Sequence, residues 1–155
     1  MENASTSIVI EKGGIRDRDA IASFQVSMAM ESEGLRLDHG MVLRGVEMAL
    51  TDASKGTYYV ARLQDGIILG SLLVTKEWSD WNATDYWWIQ SVYVRPEYRG
   101  KGVFRSLYAK VRQEALKAGS PYLRLYADRG NVKAQKTYER LGMARCHYLM
   151  FEEKL

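Results

Sequence analysis

Apolar and polar residues alternate along this chain with two different periods, and each period predicts a different kind of element. Apolar residues recur every three or four positions in four stretches, which predicts helices from Asp17 or Asp19 to about Glu33, and over about 38–50, 103–119 and 131–142. β-Branched and aromatic residues concentrate in six other stretches, which predicts strands over residues 7–12, 57–63, 67–75, 87–94, 122–127 and 143–153.

Polar residues and glycines mark the ends and interruptions of these elements. Asp38 and Asn131 stand where a helix would begin, and both residue types accept hydrogen bonds from the first N–H groups of a helix. Gly70 interrupts a strand-like stretch, which predicts a bulge or a close backbone contact. The resulting order, β-α-α-β-β-β-α-β-α-β, predicts an α/β fold in one domain spanning residues 1–155, with helices on the faces of a mixed sheet.

The composition is that of a soluble globular protein. The chain has 155 residues, 46% of them apolar and 26% charged, and no stretch approaches the roughly 20 apolar residues of a membrane helix. Cys146 is the one cysteine, so no internal disulfide can form and a cytoplasmic location is expected. Two scattered histidines and one cysteine lack metal-ligand spacing, so no metal is expected.

Charge is distributed unevenly along the chain. Residues 1–94 hold 8 Lys/Arg and 13 Asp/Glu, a net charge of −5, whereas residues 95–145 hold 13 Lys/Arg and 4 Asp/Glu, a net charge of +9. The basic part suits a polyanionic ligand and the acidic part a cationic partner, although solvated helix faces account for some of this charge. A nucleic-acid partner is not expected, because no recognition-helix motif is present and the acidic part would repel a long polyanion.

The basic part begins with a stretch that predicts an anion site. A strand-like run ends at Pro96, which has no N–H to donate, and Arg99-Gly100-Lys101-Gly102 then leads directly into a helical pattern. Glycine allows a ligand to approach the backbone closely, and the first N–H groups of a helix have no internal partner. Together with the helix dipole and the nearby Arg105, these groups favour a bound phosphate over a simple tight turn.

All four tryptophans fall within eleven residues, at positions 78, 81, 87 and 88. The surrounding residues 76–86 are polar and aromatic, which predicts a loop that leads into the fourth strand. One or two of the tryptophans would fill the core, and the others are candidates for the wall of a ligand pocket.

Two paired motifs resemble the GCN5-related N-acetyltransferases (GNAT). The first is YVRPEYRGKG at residues 93–102, followed by a helix and a strand, and the second is Asn131, Ala134, Tyr138 and Leu141-Gly142-Met143. The order of elements matches that fold along nearly the whole chain. The resemblance implies a single-domain GNAT fold with a mostly antiparallel sheet, in which acetyl-CoA binds between two splayed parallel central strands, here residues 87–94 and 122–127.

The resemblance also implies which residues would hold acetyl-CoA. The strand residues Val92, Tyr93 and Val94 would pair with the pantetheine arm, Asn131 would contact the cofactor from the other side, and Tyr138 would act as general acid on the leaving thiolate. The pyrophosphate would be held by the backbone of Arg99, Gly100, Lys101, Gly102, Val103 and Phe104. Phe104 departs from the family motif, which has a small residue there, so its ring must point away from the cofactor.

The implied reaction is direct attack of a primary amine on the thioester in a ternary complex, after a base has taken the amine's proton. Some family members carry a carboxylate on the fourth strand, but residues 87–94 contain none. Glu33 is the candidate base, and Glu31 or a water molecule could take this role instead. Three carboxylates near the tryptophans are further alternatives: Glu77, Asp80 and Asp85.

Tryptophans beside carboxylates suit a small cationic or aromatic amine as the acceptor. The acceptor-binding candidates are Glu33, Trp78, Trp81, Trp88 and Gln90. The alternative function is a non-catalytic module that binds or senses acyl-CoA on the same fold, although the intact Tyr138 argues against it. Family habit alone, and no residue pattern, favours a homodimer.

Overall fold

The computed structural model describes residues 7–155, and the chain falls into two compact units. The first unit ends at Leu125 and contains a sheet with three helices, and the second, Tyr126–Leu155, contains one helix. Strands and helices follow one another in the predicted order as far as the last helix. The predicted α/β class with a mixed sheet is therefore confirmed.

Five strands within residues 7–155 form one sheet, in which each strand pairs with the next along the chain. The first four strands pair antiparallel with their neighbours, and the fifth pairs parallel with the fourth. The strands are β1 Ile8–Lys12, β2 Thr57–Leu63, β3 Ile68–Ser79, β4 Thr84–Val94 and β5 Leu123–Arg124. The helices of the described residues are α1 Arg18–Glu33, α2 His39–Thr51, α3 Val103–Lys117 and α4 Val132–Arg140.

Local chemistry sets several helix ends as predicted. The Asp38 carboxylate accepts the Met41 N–H at 2.7 Å where α2 begins, and the Asn131 side-chain oxygen accepts the Ala134 N–H at 3.1 Å where α4 begins. α1 ends at Gly34, whose φ of 64° is a conformation that glycine adopts without steric cost. α3 carries the chain from β4 to β5, because two parallel strands need a crossover connection.

Asp17 precedes α1 directly, but its side chain does not cap that helix. The carboxylate is buried, accepts the Gly14 N–H at 3.0 Å and forms an ion pair with Arg62 of β2 at 3.0 Å. A buried carboxylate is stable only with such partners. Asp17 therefore ties the start of α1 to the sheet.

Helices cover both faces of the sheet within the first unit. α1 and α2 pack on one face, and Tyr59 and Ala61 alternate to the other face, where α3 buries Val103 and Leu107. Burial on both faces explains why residues 58–61 of β2 are all apolar. The cluster under α1 and α2 consists of Ile21, Ala22, Phe24, Val46, Tyr58, Val60, Ile68 and Tyr93.

The last predicted strand, residues 143–153, is not formed. This stretch of the second unit has no regular strand, and Leu149, Met150 and Phe151 are exposed. The prediction rested on residue types, which are local, whereas a strand needs a neighbour that pairs with its N–H and C=O groups. No described strand pairs with these residues, so β5 lies at the edge of the described sheet and is not the predicted central strand.

The predicted loop over residues 76–86 is instead the end of a long hairpin. β3 continues to Ser79, and β4 begins directly opposite it at Thr84. The Ser79 hydroxyl donates to the Tyr86 hydroxyl at 3.0 Å across the pair. The polar residues of this stretch favoured a loop in the sequence. In the structure they pair across the hairpin with aromatic residues, as Lys76 does with Trp87 and Glu77 with Tyr86, and such cross-strand pairs stabilise a sheet.

Candidate active site

β4 and β5 lie side by side over only two residue pairs and then separate. The pairs are Trp87 with Leu123 and Trp88 with Arg124. β5 ends there, well short of the predicted 122–127, whereas β4 continues to Val94. Beyond Trp88, no strand of the described chain pairs with this edge of β4, so an extended ligand can pair there in the manner of an added strand.

A β-bulge lies in the part of β4 that has left β5. The register against β3 shifts between Ser71 and Leu73, and Ser91 has a φ of 50°. Non-glycine residues adopt this conformation at a cost of about 1–2 kcal/mol. A Cβ at Gly70 would lie 2.5 Å from the Tyr93 carbonyl oxygen, so the predicted close contact of Gly70 is confirmed. Bulges bend a strand, which is consistent with the divergence of β4.

Two glycines form the turn between β4 and α3. Gly100 and Gly102 have φ values of 72° and 81°, and a Cβ at either position would meet no atom within 4 Å. Gly102 precedes α3 and offers no side-chain cap, so the N–H groups of the first turn have no partner within the helix. The Arg99 N–H is different, because it donates to the Pro96 carbonyl oxygen at 3.2 Å. Residues 100–104 therefore remain as the candidate cradle.

Cations and one aromatic ring surround this cradle. Lys101 and Arg105 are exposed, and the Lys101 ammonium lies 5.5 Å from the centre of the Tyr98 ring. The Phe104 ring is half-buried and packs against Tyr108, one helical turn further along α3, with 6.2 Å between ring centres. The cradle thus combines helix N–H groups with flanking positive charge, which is the chemistry of a phosphate site.

The two glutamates near the end of α1 have different surroundings. The Glu31 carboxylate contacts the Arg99 guanidinium and the Tyr93 hydroxyl. The hydrogen bond from Arg99 lowers the pKa of Glu31, which makes this carboxylate a weaker base. Glu33 is the last residue of α1 and is exposed.

Trp88 and Gln90 share one face of β4. Gln90 lies opposite Leu73, which packs against the cluster under α1 and α2, and Trp88 lies two residues before Gln90. The Gln90 amide donates to the Thr75 hydroxyl. This face also carries Tyr93, whose hydroxyl contacts Glu31.

The other tryptophans are not brought to that face. Trp78 lies opposite Asp85, one position out of phase with Trp88, and its side chain therefore points to the other face of the hairpin. Trp81 lies in the turn, and the two side chains are 64% and 87% exposed. Trp87 is buried and serves the core. Of the alternative bases, Glu77 forms an ion pair with Arg124 at 3.2 Å.

Asn131 and Tyr138 belong to the second unit, at the start and in the body of α4. Burial raises the pKa of the Tyr138 phenol. The phenol is therefore protonated at neutral pH and can donate a proton.

Residues 7–155 contain no group of three or more His, Cys, Asp or Glu side chains that could hold a metal ion. Over the same range, no helix combines the length and the apolar character needed to cross a bilayer.

Two features of the site escaped the sequence analysis. The sequence around Ser91 does not indicate a bulge, because serine has no preference for a positive φ. Gly70 on the neighbouring strand is the residue that pointed to it. The contact between Glu31 and Arg99 joins residues 68 positions apart, and no periodicity or motif reports such a pair.

Comparison with known proteins identifies the family. Residues 27–143 match the family model described as the acetyltransferase (GNAT) family, a range that includes both the glycine turn and α4. The chain belongs to the GNAT acetyltransferase family. A solved structure described as a possible acetyltransferase from Clostridium difficile 630 is 38% identical to this GNAT chain, with a TM-score of 0.90 over 96% of this chain and 97% of that one.

Two further relatives share less sequence with this GNAT chain. Thialysine N-epsilon-acetyltransferase from Bos taurus is 33% identical over 79 residues, which are 51% of this chain and 46% of the bovine enzyme. The chain therefore aligns with about half the length of that relative. A predicted acetyltransferase from Clostridium acetobutylicum, solved with acetyl-CoA, is 16% identical to this chain, with a TM-score of 0.74 over 94% of this chain and 96% of that one. At this identity the similarity shows a common fold only.

Proposed function

We propose that this chain is an acetyl-CoA-dependent N-acetyltransferase that moves an acetyl group to the primary amine of a small molecule by direct attack in a ternary complex. The observation that carries the proposal is the glycine turn at the start of α3, close to the β4 edge that β5 has left. An anion site beside an unpaired strand edge suits a ligand with phosphates at one end and an extended, amide-bearing arm. Family membership and the acetyl-CoA complex of a structural neighbour support the proposal.

The described residues fit acetyl-CoA, which supplies the acetyl group as a reactive thioester. The backbone N–H groups of residues 100–104 hold the pyrophosphate, and Lys101 and Arg105 add positive charge. The edge of β4 at Val92, Tyr93 and Val94 pairs with the pantetheine arm. The motif match assigns Asn131 a further contact with the cofactor.

Tyr138 acts as general acid and protonates the departing sulfur. The motif match supports this role, and the phenol carries its proton at neutral pH. A backbone N–H of β4 near Val92 to Val94 donates to the thioester oxygen as negative charge develops there.

Glu33 acts as the base, directly or through a water molecule. A protonated amine has no lone pair for the attack, so the proton must leave first. Arg99 and Tyr93 engage the Glu31 carboxylate, so the proposal assigns the base to Glu33, the other glutamate near the end of α1. Its exposure gives the proton a route to solvent.

The acceptor is a small cationic or aromatic amine that lies against Trp88 and Gln90. The name of the bovine relative gives the N-epsilon amine of thialysine as its acceptor, which supports the amine class. Trp88 offers an aromatic surface to a cation or a ring on the face that Gln90 shares.

The two glycines that flank α3 provide a matched test of the cofactor site. Gly102 and Gly119 lie just outside the two ends of this helix with φ values of 81° and 75°, and a Cβ at either meets no atom within 4 Å. Alanine at either position costs about 1–2 kcal/mol of stability. We expect only Gly102→Ala to weaken CoA binding, by about tenfold or more, as measured by calorimetry. Equal affinities of the two variants would place the cofactor elsewhere.

A thiol-release assay with a panel of amines distinguishes the enzyme from a module that only binds acyl-CoA. We expect thiol release from acetyl-CoA to depend on a primary amine and to saturate with it. Tight CoA binding without amine-dependent release would favour the non-catalytic function, and a preference for alcohols or thiols would contradict the amine class.

A further inference from the structure

Glu31 joins α1 to both elements that form the proposed cofactor site. Nη2 of Arg99, in the turn, donates to Glu31 Oε2 at 2.7 Å, and the Tyr93 hydroxyl, on β4, donates to Oε1 at 3.0 Å. Both oxygens of the carboxylate therefore point to partners in the site. Hydrogen bonds to a charged acceptor are the stronger kind.

The remainder of the Arg99 side chain is also held. Its Nε donates to the Val94 carbonyl oxygen at 2.8 Å, and its guanidinium carbon lies 5.3 Å from the centre of the Tyr93 ring. The side chain thus folds back onto the end of β4. Since Gly100 follows Arg99 directly, these contacts fix the point at which the glycine turn begins.

Tyr93 links these contacts to the buried core. Its side chain is 8% exposed, and its ring stacks on Phe24 of α1 with 5.1 Å between the ring centres. Both residues belong to the buried cluster under α1 and α2. Arg99 and Glu31 are 43% and 44% exposed, but through Tyr93 both contact the packed core.

We infer that Glu31 is a positioning residue that holds the glycine turn in its pyrophosphate-binding conformation, acting through Arg99 and Tyr93. The inference rests on the proposed function, because it takes the turn as the acetyl-CoA site. Glu31 does not contact the ligand; it acts through the side chain that precedes the turn. This role replaces that of base, which the sequence left open for it.

The turn needs such support because of its composition. Gly100 and Gly102 have more backbone freedom than other residues, and a ligand that orders them must offset the lost entropy. A turn that is already held loses less freedom on binding, so the ligand binds more tightly. The hydrogen bond from Arg99 lowers the pKa of Glu31, so the carboxylate stays ionised and the pair stays intact at neutral pH.

Glu31→Gln tests this role, because it keeps the size of the side chain and removes its charge. We expect calorimetry to show an about two- to fivefold higher Kd for CoA, the range for a partly exposed ion pair. The KM for acetyl-CoA should rise by the same factor with kcat unchanged. S-acetyl-pantetheine, which lacks the pyrophosphate, should bind the variant and the unaltered protein equally.

The control is Asp19→Asn, which removes the same charge at the other end of α1 and should leave both affinities unchanged. Arg99→Gln should weaken CoA binding at least as much as Glu31→Gln, and the double variant should bind no more weakly than Arg99→Gln alone, because the two residues act as one unit.

Three outcomes would overturn the inference. Unchanged CoA affinity in Glu31→Gln, with the unaltered protein binding CoA, would remove the role of Glu31 and leave the proposed function intact. An equal loss for S-acetyl-pantetheine would indicate a general structural defect. No CoA binding by the unaltered protein would overturn the proposed function together with the inference.

Discussion

Residues of the same type that are close in sequence have different surroundings in this protein. Trp87 is buried in the core, whereas the adjacent Trp88 points to the face of the sheet that carries Gln90. Glu31 contacts Arg99 and Tyr93, whereas Glu33, two positions later, is the last residue of α1. Successive side chains of a strand point to opposite faces, and helix positions two apart do not face the same way. Each residue's role therefore follows from its neighbours in space.

Tyr138→Phe tests the proposed general acid. Removing the hydroxyl should lower kcat by about 100-fold or more, the usual contribution of a positioned acid, with an unchanged KM for acetyl-CoA. Burial raises the pKa of this phenol above its ordinary value of 10.0, so loss of its proton should not reduce turnover below about pH 10. Thiol release over a pH series measures both effects.

Tyr148→Phe is the matched control for this prediction, because Tyr148 is an exposed tyrosine of the same unit and should tolerate the change. Full turnover by Tyr138→Phe would remove Tyr138 from the mechanism.

Among the elements, the β3–β4 hairpin contributes most to the site. β4 supplies the edge that β5 leaves, and β3 supplies Gly70, whose missing side chain lets the two backbones approach. The bulge at Ser91 is thus a property of the pair of strands. A change on β3 should reach the cofactor through β4.

Gly70→Ala tests this coupling. The new Cβ would lie 2.5 Å from a backbone oxygen of Tyr93, so β4 must move. We expect a loss of about 1–3 kcal/mol in the free energy of unfolding, as for other overpacked sites, together with weaker CoA binding. Urea unfolding and calorimetry measure the two quantities.

Gly45→Ala, in α2, serves as the control for Gly70→Ala, since its Cβ meets no atom within 4 Å. Alanine in a helix is favoured over glycine by about 0.5–1 kcal/mol, so this variant should be at least as stable as the unaltered protein. A Gly70→Ala variant of similar stability would contradict the close approach.

For the molecule as a whole, the charge of each part of the chain is opposite to the charge of the ligand proposed to bind there. Residues 95–145 carry a net charge of +9 and contain the turn that would hold the pyrophosphate, whereas residues 1–94 carry −5 and contain the candidate acceptor residues. The basic part should attract the phosphates of CoA beyond the contacts of the turn itself.

The salt dependence of binding tests this contribution. Raising the salt concentration from about 0.1 M to about 1 M shortens the Debye length from about 10 Å to about 3 Å. We expect the Kd for CoA to rise several-fold, because Lys101 and Arg105 are exposed and their charges are screened. S-acetyl-pantetheine, which carries no phosphate, should show no such rise. A Kd for CoA that is independent of salt would limit the phosphate contacts to backbone N–H groups.

The features that could be predicted from the sequence are those whose causes are local. Asp38 and Asn131 cap their helices because a side-chain oxygen reaches an N–H three residues away. Gly100 and Gly102 form a turn before α3 because glycine adopts a positive φ without steric cost. These signals, with the spacing of the motifs, were sufficient for the α/β class and the GNAT family.

Tertiary structure sets which distant residues meet. It pairs residues 76–86 into a hairpin, leaves residues 143–153 without a strand, separates Trp78 from Trp88 and joins Glu31 to Arg99. Strand pairing and ion pairs form between groups that are far apart along the chain, and their stability depends on the partner and its burial. The residue types in one segment therefore do not predict these contacts. The contact of Glu31 with Arg99, which supports the glycine turn, could be found only in the folded chain.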